Sequence, residues 1–209
     1  MKVIIYLSLL FFCLTTYAGL YIEMDGTERS QFIYQDDMGK TSSEDKVFIV
    51  NYAEGVFYTI DHSKKIITEL NIKEMAKMAE GMGTVRKSTG KSKVVRGKKC
   101  EIFIESMPMT TMRSCYIHYS KLGISKKIFK QLIASSRKIS TKLTGVFAMK
   151  DELFPIETII KHPGGSSRTT LKKIEERDFP ASTFNLPKGY RREKAGGGNS
   201  SISGEQMKK

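Results

Sequence analysis

The sequence predicts a β-rich α+β domain in which an antiparallel sheet is accompanied by two helices. Short runs of β-branched and aromatic residues, bounded by turn residues, recur along most of the 209-residue chain, and such runs are typical of strands. Two windows, which follow Asn71 and Gly123, instead place apolar residues at helical spacing. Cys100 and Cys115 lie on two of the strand-like runs, where a hairpin would bring them within disulfide distance.

The N-terminus has the layout of a secretory signal peptide. Lys2 supplies a positive charge, Val3–Leu14 is apolar, and Thr16–Ala18 resembles a cleavage site with small residues. The apolar run is shorter than the roughly 20 residues that span a bilayer. An uncleaved anchor is the alternative, because no further charge appears until Glu23. We expect residues 1–18 to be removed, and the protein to be periplasmic or secreted.

The rest of the chain is long enough for one domain, residues 19–192. A polar, glycine-rich tail follows at residues 193–209, and its composition predicts disorder. The formal net charge of the whole chain is +13. Export argues against a nucleic-acid partner, so anionic lipid headgroups, acidic glycans or no partner at all account for the excess of positive charge.

The strand prediction rests on the apolar and aromatic runs. The predicted strands are Leu20–Met24, Gln31–Gln35, Lys46–Tyr52, Val56–Ile60, Lys65–Leu70, Cys100–Glu105, Thr111–Tyr119, Phe154–Lys161 and Arg168–Glu176. The most apolar of them, Lys46–Tyr52, is expected to be a central strand covered on both faces. Asp36–Asp45 is polar and rich in turn residues, so we expect a loop there.

Two helices are predicted. Asn71 can cap the first, and Glu74 stands three residues on, as in a capping box. The second spans Ser125–Lys138 and has an apolar stripe on one side. That stripe consists of Ile124, Ile128, Leu132 and Ile139, and the opposite side carries Lys126, Lys127, Lys130, Arg137 and Lys138.

The segment Arg86–Lys99 contains basic residues and no acidic ones, spread among Ser, Thr and Gly. We interpret it as a mobile basic connector. Within it, Thr89–Ser92 looks like the end of a phosphate-binding loop, but Val85 stands where that motif requires glycine and a predicted helix precedes it instead of a strand.

The two cysteines that lie outside the predicted signal peptide predict a disulfide. A hairpin with its loop at Ser106–Met109 would place Cys100 opposite Cys115. The bridge would close a loop of about 15 residues and stabilise the fold by roughly 3 kcal/mol. Two buried free thiols are the alternative.

No catalytic or metal-binding set is visible in the sequence. His62, His118 and His162 have none of the close spacings of a metal site, and the cysteines are committed to each other. No serine stands in a nucleophile-elbow context. We therefore predict a non-enzymatic protein without a cofactor.

The order of these features resembles a known family. Its markers are Gly97-x-x-Cys100, the Cys115 strand, Phe154–Ile156, and the ending Phe184-x-x-Pro187-x-Gly189-Tyr190. These resemble a family of exported bacterial proteins classed only as a domain of unknown function, which in turn is similar to the LolA/LolB-like lipoprotein-carrier fold. The resemblance implies a strongly curved antiparallel sheet, a half-barrel, with about two helices on its concave face and an apolar cavity.

Two functions follow from the resemblance and the charge. The first is a periplasmic protein that binds a hydrophobic or lipid-like ligand in that cavity, with a basic surface that contacts anionic membranes. The expected cavity residues are Phe48, Tyr58, Ile66, Met75 and Phe129, and the expected surface contacts are Lys126, Lys127 and Lys130. The second is an envelope structural or interaction protein with a fully packed sheet and no small-molecule ligand. A hydrolase is a distant third.

The closing motif carries one further structural expectation. Phe184 and Tyr190 should be substantially buried, with Pro187 and Gly189 setting the bend between them. Truncation of Phe184 to alanine would then cost roughly 3–5 kcal/mol.

Overall fold

A computed structural model describes residues 19–27, 29–43, 46–74, 85–107, 109–140 and 152–195. The predicted signal peptide, Met75 and the residues after 195 lie outside these ranges, as does most of the first predicted helix. Asn71 does cap a helical turn that begins at Ile72, because its Oδ1 accepts a hydrogen bond of 2.8 Å from the Lys73 amide.

Twelve strands and one longer helix form the described part of the chain. The strands are β1 (Gly19–Gly26), β2 (Ser30–Gln35), β3 (Met38–Ser43), β4 (Lys46–Asn51), β5 (Val56–Asp61), β6 (Ile66–Asn71), β7 (Val85–Val95), β8 (Lys98–Met107), β9 (Thr110–His118), β10 (Leu153–His162), β11 (Gly165–Arg177) and β12 (Arg191–Lys194). The helix, α1, spans Lys126–Ser140, and 3₁₀ turns occupy Tyr119–Leu122 and Ala181–Phe184.

The strands form one open sheet in the order β12-β6-β5-β4-β3-β2-β1-β11-β10-β9-β8-β7. Strands β1 to β6 follow one another across one half, and β7 to β11 fill the other half. The antiparallel pair β1–β11 joins the halves, with Ile22 opposite Ile174. Strand β12 runs parallel to β6, so the sheet is mixed.

The expectation of a half-barrel with helices on its concave face is wrong. The described residues form a wide open sheet that is neither closed nor strongly curled, accompanied by α1 and the short helical turn at Ile72. The apolar runs understate the number of strands, because a segment that pairs with an existing strand needs no apolar run of its own. Three segments that lack apolar runs nevertheless add strands, namely β3, β7 and β12, and they widen the sheet.

Two of these added strands replace predicted irregular segments. The predicted loop Asp36–Asp45 contains β3, which is paired on both sides. The predicted basic connector contains β7, which pairs only with β8 at the edge of the sheet. Edge strands tolerate Lys, Gly and bulges that a central strand would not, and β7 carries an irregularity between Ser88 and Ser92.

Strand β4 and the cysteine hairpin also differ in detail from expectation. In β4 only Ile49 is buried, so the strand is not covered on both faces. In the hairpin, Met107 pairs with Thr110, so the connecting turn is tighter than the predicted loop. Cys115 consequently lies opposite Ile102 instead of Cys100.

The larger core cluster lies where α1 packs on the sheet, and the helix itself is confirmed within two residues at each end. Ile128, Phe129 and Leu132 from α1 are buried together with residues of β1, β8, β9 and β10. The Phe129 ring stacks on Tyr119, with ring centroids 4.5 Å apart. A hydrogen bond of 2.9 Å joins the Tyr34 hydroxyl on β2 to Ser135 Oγ on the helix. The helix is thus held to the sheet by both apolar and polar contacts.

A smaller cluster lies in the other half of the sheet. Ile49, Ile60 and Ile67 form it, and Leu186 and Tyr190 from the closing motif pack against it. Gly189 adopts a φ of 78°, which favours glycine. Glu193 and Lys194, expected in the disordered tail, belong to β12.

The burial expected for the closing motif is only partly met. Phe184 and Tyr190 are each half-buried, and the Tyr190 hydroxyl hydrogen-bonds with His62 Nδ1 at 2.9 Å. The motif therefore packs against the smaller cluster while its two aromatic rings stay partly exposed.

Phe129→Ala should destabilise the protein more than Phe184→Ala. Phe129 is 1% exposed, so its truncation leaves a cavity and should lower the free energy of unfolding by about 3–5 kcal/mol. Phe184 is half-buried, so we now expect about 1–2 kcal/mol. Urea denaturation of both variants measures the difference, and equal losses would contradict the assignment of the core to α1.

Candidate functional site

The predicted disulfide is confirmed between Cys100 and Cys115. The sulfurs are 2.03 Å apart and the Cα atoms 5.4 Å apart. Both residues are buried in the larger core cluster. The bridge crosses the β8–β9 pair diagonally, since Cys115 lies opposite Ile102. Its environment is that of a structural bond.

Charged residues on the neighbouring strands β7 and β10 flank this disulfide. Lys93 pairs with Cys100, and Cys115 pairs with Glu157, so all four residues share one face of the sheet, which we call the disulfide face. Glu157 is 1% exposed and forms ion pairs with Lys93 and Arg168. Burial lowers the pKa of Lys93, and the positive charges of Arg113 and Arg168 lower it further.

A second buried carboxylate occupies the opposite face. Glu105 is 1% exposed and accepts hydrogen bonds from Arg86 Nε at 2.6 Å and from the Tyr116 hydroxyl at 3.0 Å. The Arg86 guanidinium also stands 4.6 Å above the Tyr116 ring. Burial raises the pKa of Tyr116 to about 12, with a further contribution from the Glu105 charge. Both carboxylates have their partners within the chain, which favours structural roles.

The residues expected to line a lipid cavity are dispersed. Phe48 stacks on Phe57 with ring centroids 5.7 Å apart. Tyr58 belongs to the opposite face of the same half-sheet, against the smaller cluster. Ile66 is half-buried on β6, and Phe129 is the residue of α1 that is buried against the sheet in the larger core cluster. Met75 lies outside the described residues. The four described residues thus do not line one cavity.

The structure instead contains a groove at the junction of β7, β8, β10 and β11. Its volume is about 300 Å³, at the lower end of the range for ligand pockets. The residues that line it are Val95, Arg96, Lys98, Leu122, Ile156, Leu171, Lys172, Lys173 and Ile174. The five apolar ones are buried or half-buried, and the four basic ones are exposed. The groove therefore has an apolar floor and a cationic rim.

Two strand irregularities create this groove. In β10, Pro155 pairs with Tyr116 and Glu157 with Cys115, so Ile156 is an extra residue. In β11, Lys173 pairs with Glu23 and Leu171 with Met24, so Lys172 is extra. Bulges redirect side chains and bend strands locally. Both extra residues line the groove.

Three of the rim cations already have carboxylate partners. Arg96 pairs with Asp25 at 2.5 Å, and this contact lowers the pKa of Asp25. Lys172 pairs with Glu23 and Lys173 with Glu175, each at 2.8 Å.

Lys98 is the rim cation without a carboxylate partner among the described residues. Its ammonium donates to the Lys121 carbonyl at 3.2 Å, which leaves further N–H donors for an anion. Sequence reasoning missed the groove, because nothing in the strand pattern marks Ile156 or Lys172 as extra residues.

The predicted membrane-contact lysines are exposed on α1. Lys126, Lys127 and Lys130 all face solvent, and Lys126 Nζ lies 3.7 Å from Glu152 Oε1. A hydrogen bond from His118 is the main cause that lowers the pKa of Glu152. Contact of these lysines with an anionic surface stays a prediction.

Neither a metal-binding group nor a membrane-spanning helix is found among the described residues. No three His, Cys, Asp or Glu side chains come together there as a group that could hold a metal ion. None of the described helices has both the length and the apolar character needed to cross a membrane.

The described residues thus form an open, disulfide-bonded β-sheet protein with one packed helix and an amphipathic groove. Residues 20–190 match the family described as domain of unknown function DUF4412, and the chain belongs to that family. No curated protein matches the chain.

The solved structures that match the chain include PNGF-II in two crystal forms. The first matches with a TM-score of 0.49 and 11% identity over 85% of this chain and 31% of PNGF-II. The second has a TM-score of 0.48 and 12% identity over 85% and 32%. The chain thus spans about a third of PNGF-II. No likeness to a lipoprotein carrier is among these findings.

Loss of the disulfide should lower stability. Cys100→Ser is expected to reduce the free energy of unfolding by about 2–5 kcal/mol, because the unfolded chain is no longer constrained. Urea denaturation measures the loss, and the double variant with Cys115→Ser should lose about as much as the single one. Alkylation of both thiols in unfolded, non-reduced protein would contradict the bond.

Two buried tyrosines should make stability fall at alkaline pH. Burial raises the pKa of Tyr52 and Tyr116 to about 12, whereas an unfolded chain releases these protons near pH 10. Their contribution is therefore complete below about pH 10 and is lost as pH rises towards 12. Urea titrations across this window should show it.

Tyr52→Phe is the matched variant for this titration. It should remove about 2–3 kcal/mol of the alkaline decline. An unchanged decline in the variant would show that Tyr52 ionises normally.

Proposed function

We propose that the chain is an exported, non-enzymatic envelope protein that binds an anionic amphiphile in the groove. The groove carries the proposal, since its apolar floor suits a hydrocarbon chain and its cationic rim suits an acidic headgroup. The disulfide supports an oxidising compartment.

Within the groove each group has a role. Val95, Leu122 and Ile174 contact the hydrocarbon, and Lys98 donates to the headgroup. Arg96 and Lys172 stay paired with Asp25 and Glu23, so Lys98 supplies the positive charge for the headgroup. A single-chain ligand with one acidic group fits both the volume and the charge.

One observation favours a second candidate. Three of the four rim cations have carboxylate partners, so the rim is largely neutralised. This is what an envelope structural or interaction protein without a small-molecule ligand would show. The binding experiment below separates the two functions.

Calorimetric titration of the purified mature protein with laurate, dodecanol and acetate separates the contribution of the acidic headgroup to binding from that of the hydrocarbon chain. Laurate should bind, dodecanol more weakly, and acetate not at all. Lys98→Gln should weaken laurate binding about tenfold, as expected for loss of one charge-assisted hydrogen bond. Ile174→Phe should block binding by filling the groove.

Lys64→Gln is the matched control, because Lys64 is an exposed lysine on the β5–β6 turn. It should leave laurate binding unchanged. No binding of laurate, or equal effects of Lys64→Gln and Lys98→Gln, would favour the interaction protein. If laurate binds, mass spectrometry of organic extracts from the purified protein should identify the natural ligand.

A further inference from the structure

A row of alternating cations and isoleucines crosses the sheet at the end where β8 turns into β9. Direct pairing links five residues on five strands in the order Lys87, Ile104, Arg113, Ile159 and Arg168. Directly paired residues point to the same face of a sheet. Because Ile104 stands two residues after Ile102, which pairs with Cys115, the row belongs to the disulfide face.

Four of the five residues in this row are exposed and Ile159 is half-buried, unlike the part of the disulfide face under α1. Lys87, Arg113 and Arg168 are exposed, and Lys161, two residues beyond Ile159 on the same face, is exposed as well. Arg168 pairs with the buried Glu157. Lys87, Arg113 and Lys161 have no carboxylate partner within the described ranges.

The cations act on one another electrostatically. The charges of Arg113 and Arg168 both contribute to the lowered pKa of Lys93. Glu157 is the acidic group that stands among them, and it is shared between Lys93 and Arg168. This end of the sheet therefore has an excess of positive charge, which attracts an anionic partner.

The same end exposes apolar side chains. Among the described residues the exposed large hydrophobic ones are Val94, Ile104 and Met109, which are 66%, 37% and 79% exposed. Two of these three belong to the β8–β9 hairpin. Ile104 lies inside the cation row, and Met109 forms the turn with a φ of 63°.

We propose that this sheet end, formed by Lys87, Ile104, Met109, Arg113, Lys161 and Arg168, docks on an anionic lipid surface. A soluble polyanion would use the cations alone. A lipid surface also accepts the exposed Met109 and Ile104, while the long basic side chains remain at the headgroups. Each cation near an anionic membrane strengthens partitioning about fivefold at low salt.

The proposal does not rest on the groove. The groove lies where β8 begins, at Lys98, and the docking end lies where β8 finishes, at Met107. At the rise of a strand these points are about 30 Å apart. A docked molecule therefore keeps the groove away from the lipid surface, and each site can be tested without the other.

The sharpest test uses tryptophan fluorescence, because the chain contains no tryptophan. Met109→Trp in the full mature protein should shift its emission to the blue with vesicles that contain phosphatidylglycerol. Brominated acyl chains should quench it. Val94→Trp is the matched control, since Val94 is exposed on the opposite face of β7, and it should show neither effect.

Co-sedimentation with the same vesicles tests the charges. The triple variant Lys87→Glu, Arg113→Glu, Lys161→Glu should lose at least tenfold in binding, and pure phosphatidylcholine vesicles should bind neither protein. The triple variant Lys126→Glu, Lys127→Glu, Lys130→Glu should retain binding. Circular dichroism confirms that both variants fold.

Three outcomes would overturn the proposal. The first is loss of binding in the α1 variant with retention in the sheet-end variant, which would assign docking to the helix. The second is an unshifted Met109→Trp emission while soluble heparin competes for binding, which would identify a polyanion as the partner. The third is absence of binding to vesicles of either composition.

Discussion

The pairing of β1 with β11 is the constraint on which the rest of the structure depends. Each half of the sheet is built from neighbouring strands, and among the described residues β1 and β11 are the two strands whose pairing joins the halves. Where β1 begins, the structure leaves no space for a side chain at Gly19. A side chain on Gly19 would come within 2.6 Å of the Phe179 ring, and Arg177 stacks between Tyr21 and Phe179 at 4.2 and 4.9 Å. Helix α1 then packs across both halves, since its buried residues belong to a cluster shared by β1 and β8–β10.

The difference between local patterns and pairing with distant strands explains which parts of the fold could be predicted from the sequence. Local signals were sufficient for α1, for the cysteine pair and for most strands, because a strand run or a helical stripe is encoded within a few residues. Strands β3, β7 and β12 have no apolar signal of their own. They form because an existing neighbour offers unpaired backbone groups, as β8 does for Lys87 and Lys93 in β7. Their presence makes the sheet wider than the sequence predicts, which no local pattern reveals.

The groove was missed for a related reason. Its floor depends on Ile156 and Lys172, which are extra residues only with respect to the partner strands. In the sequence both stand in ordinary strand runs. Pro155 was the one local sign, since proline in a strand often accompanies a bulge. The predicted cavity residues failed to converge because Phe48 and Tyr58 are neighbours in the half-sheet but belong to opposite faces, a matter of register.

Charge distribution is the last consequence of this architecture. Two carboxylates, Glu105 and Glu157, are almost fully buried on opposite faces of the β7–β11 half, and each is held by two neighbours. A buried acid without its cation would be strongly destabilising, so Arg86, Lys93 and Arg168 are required by the fold before they serve any ligand. The cations beyond these requirements, Arg113 and Lys98 among them, stand at the two ends of the same strands. The fold therefore leaves positive charge in excess at two separate places, and these are the places where apolar side chains are also accessible.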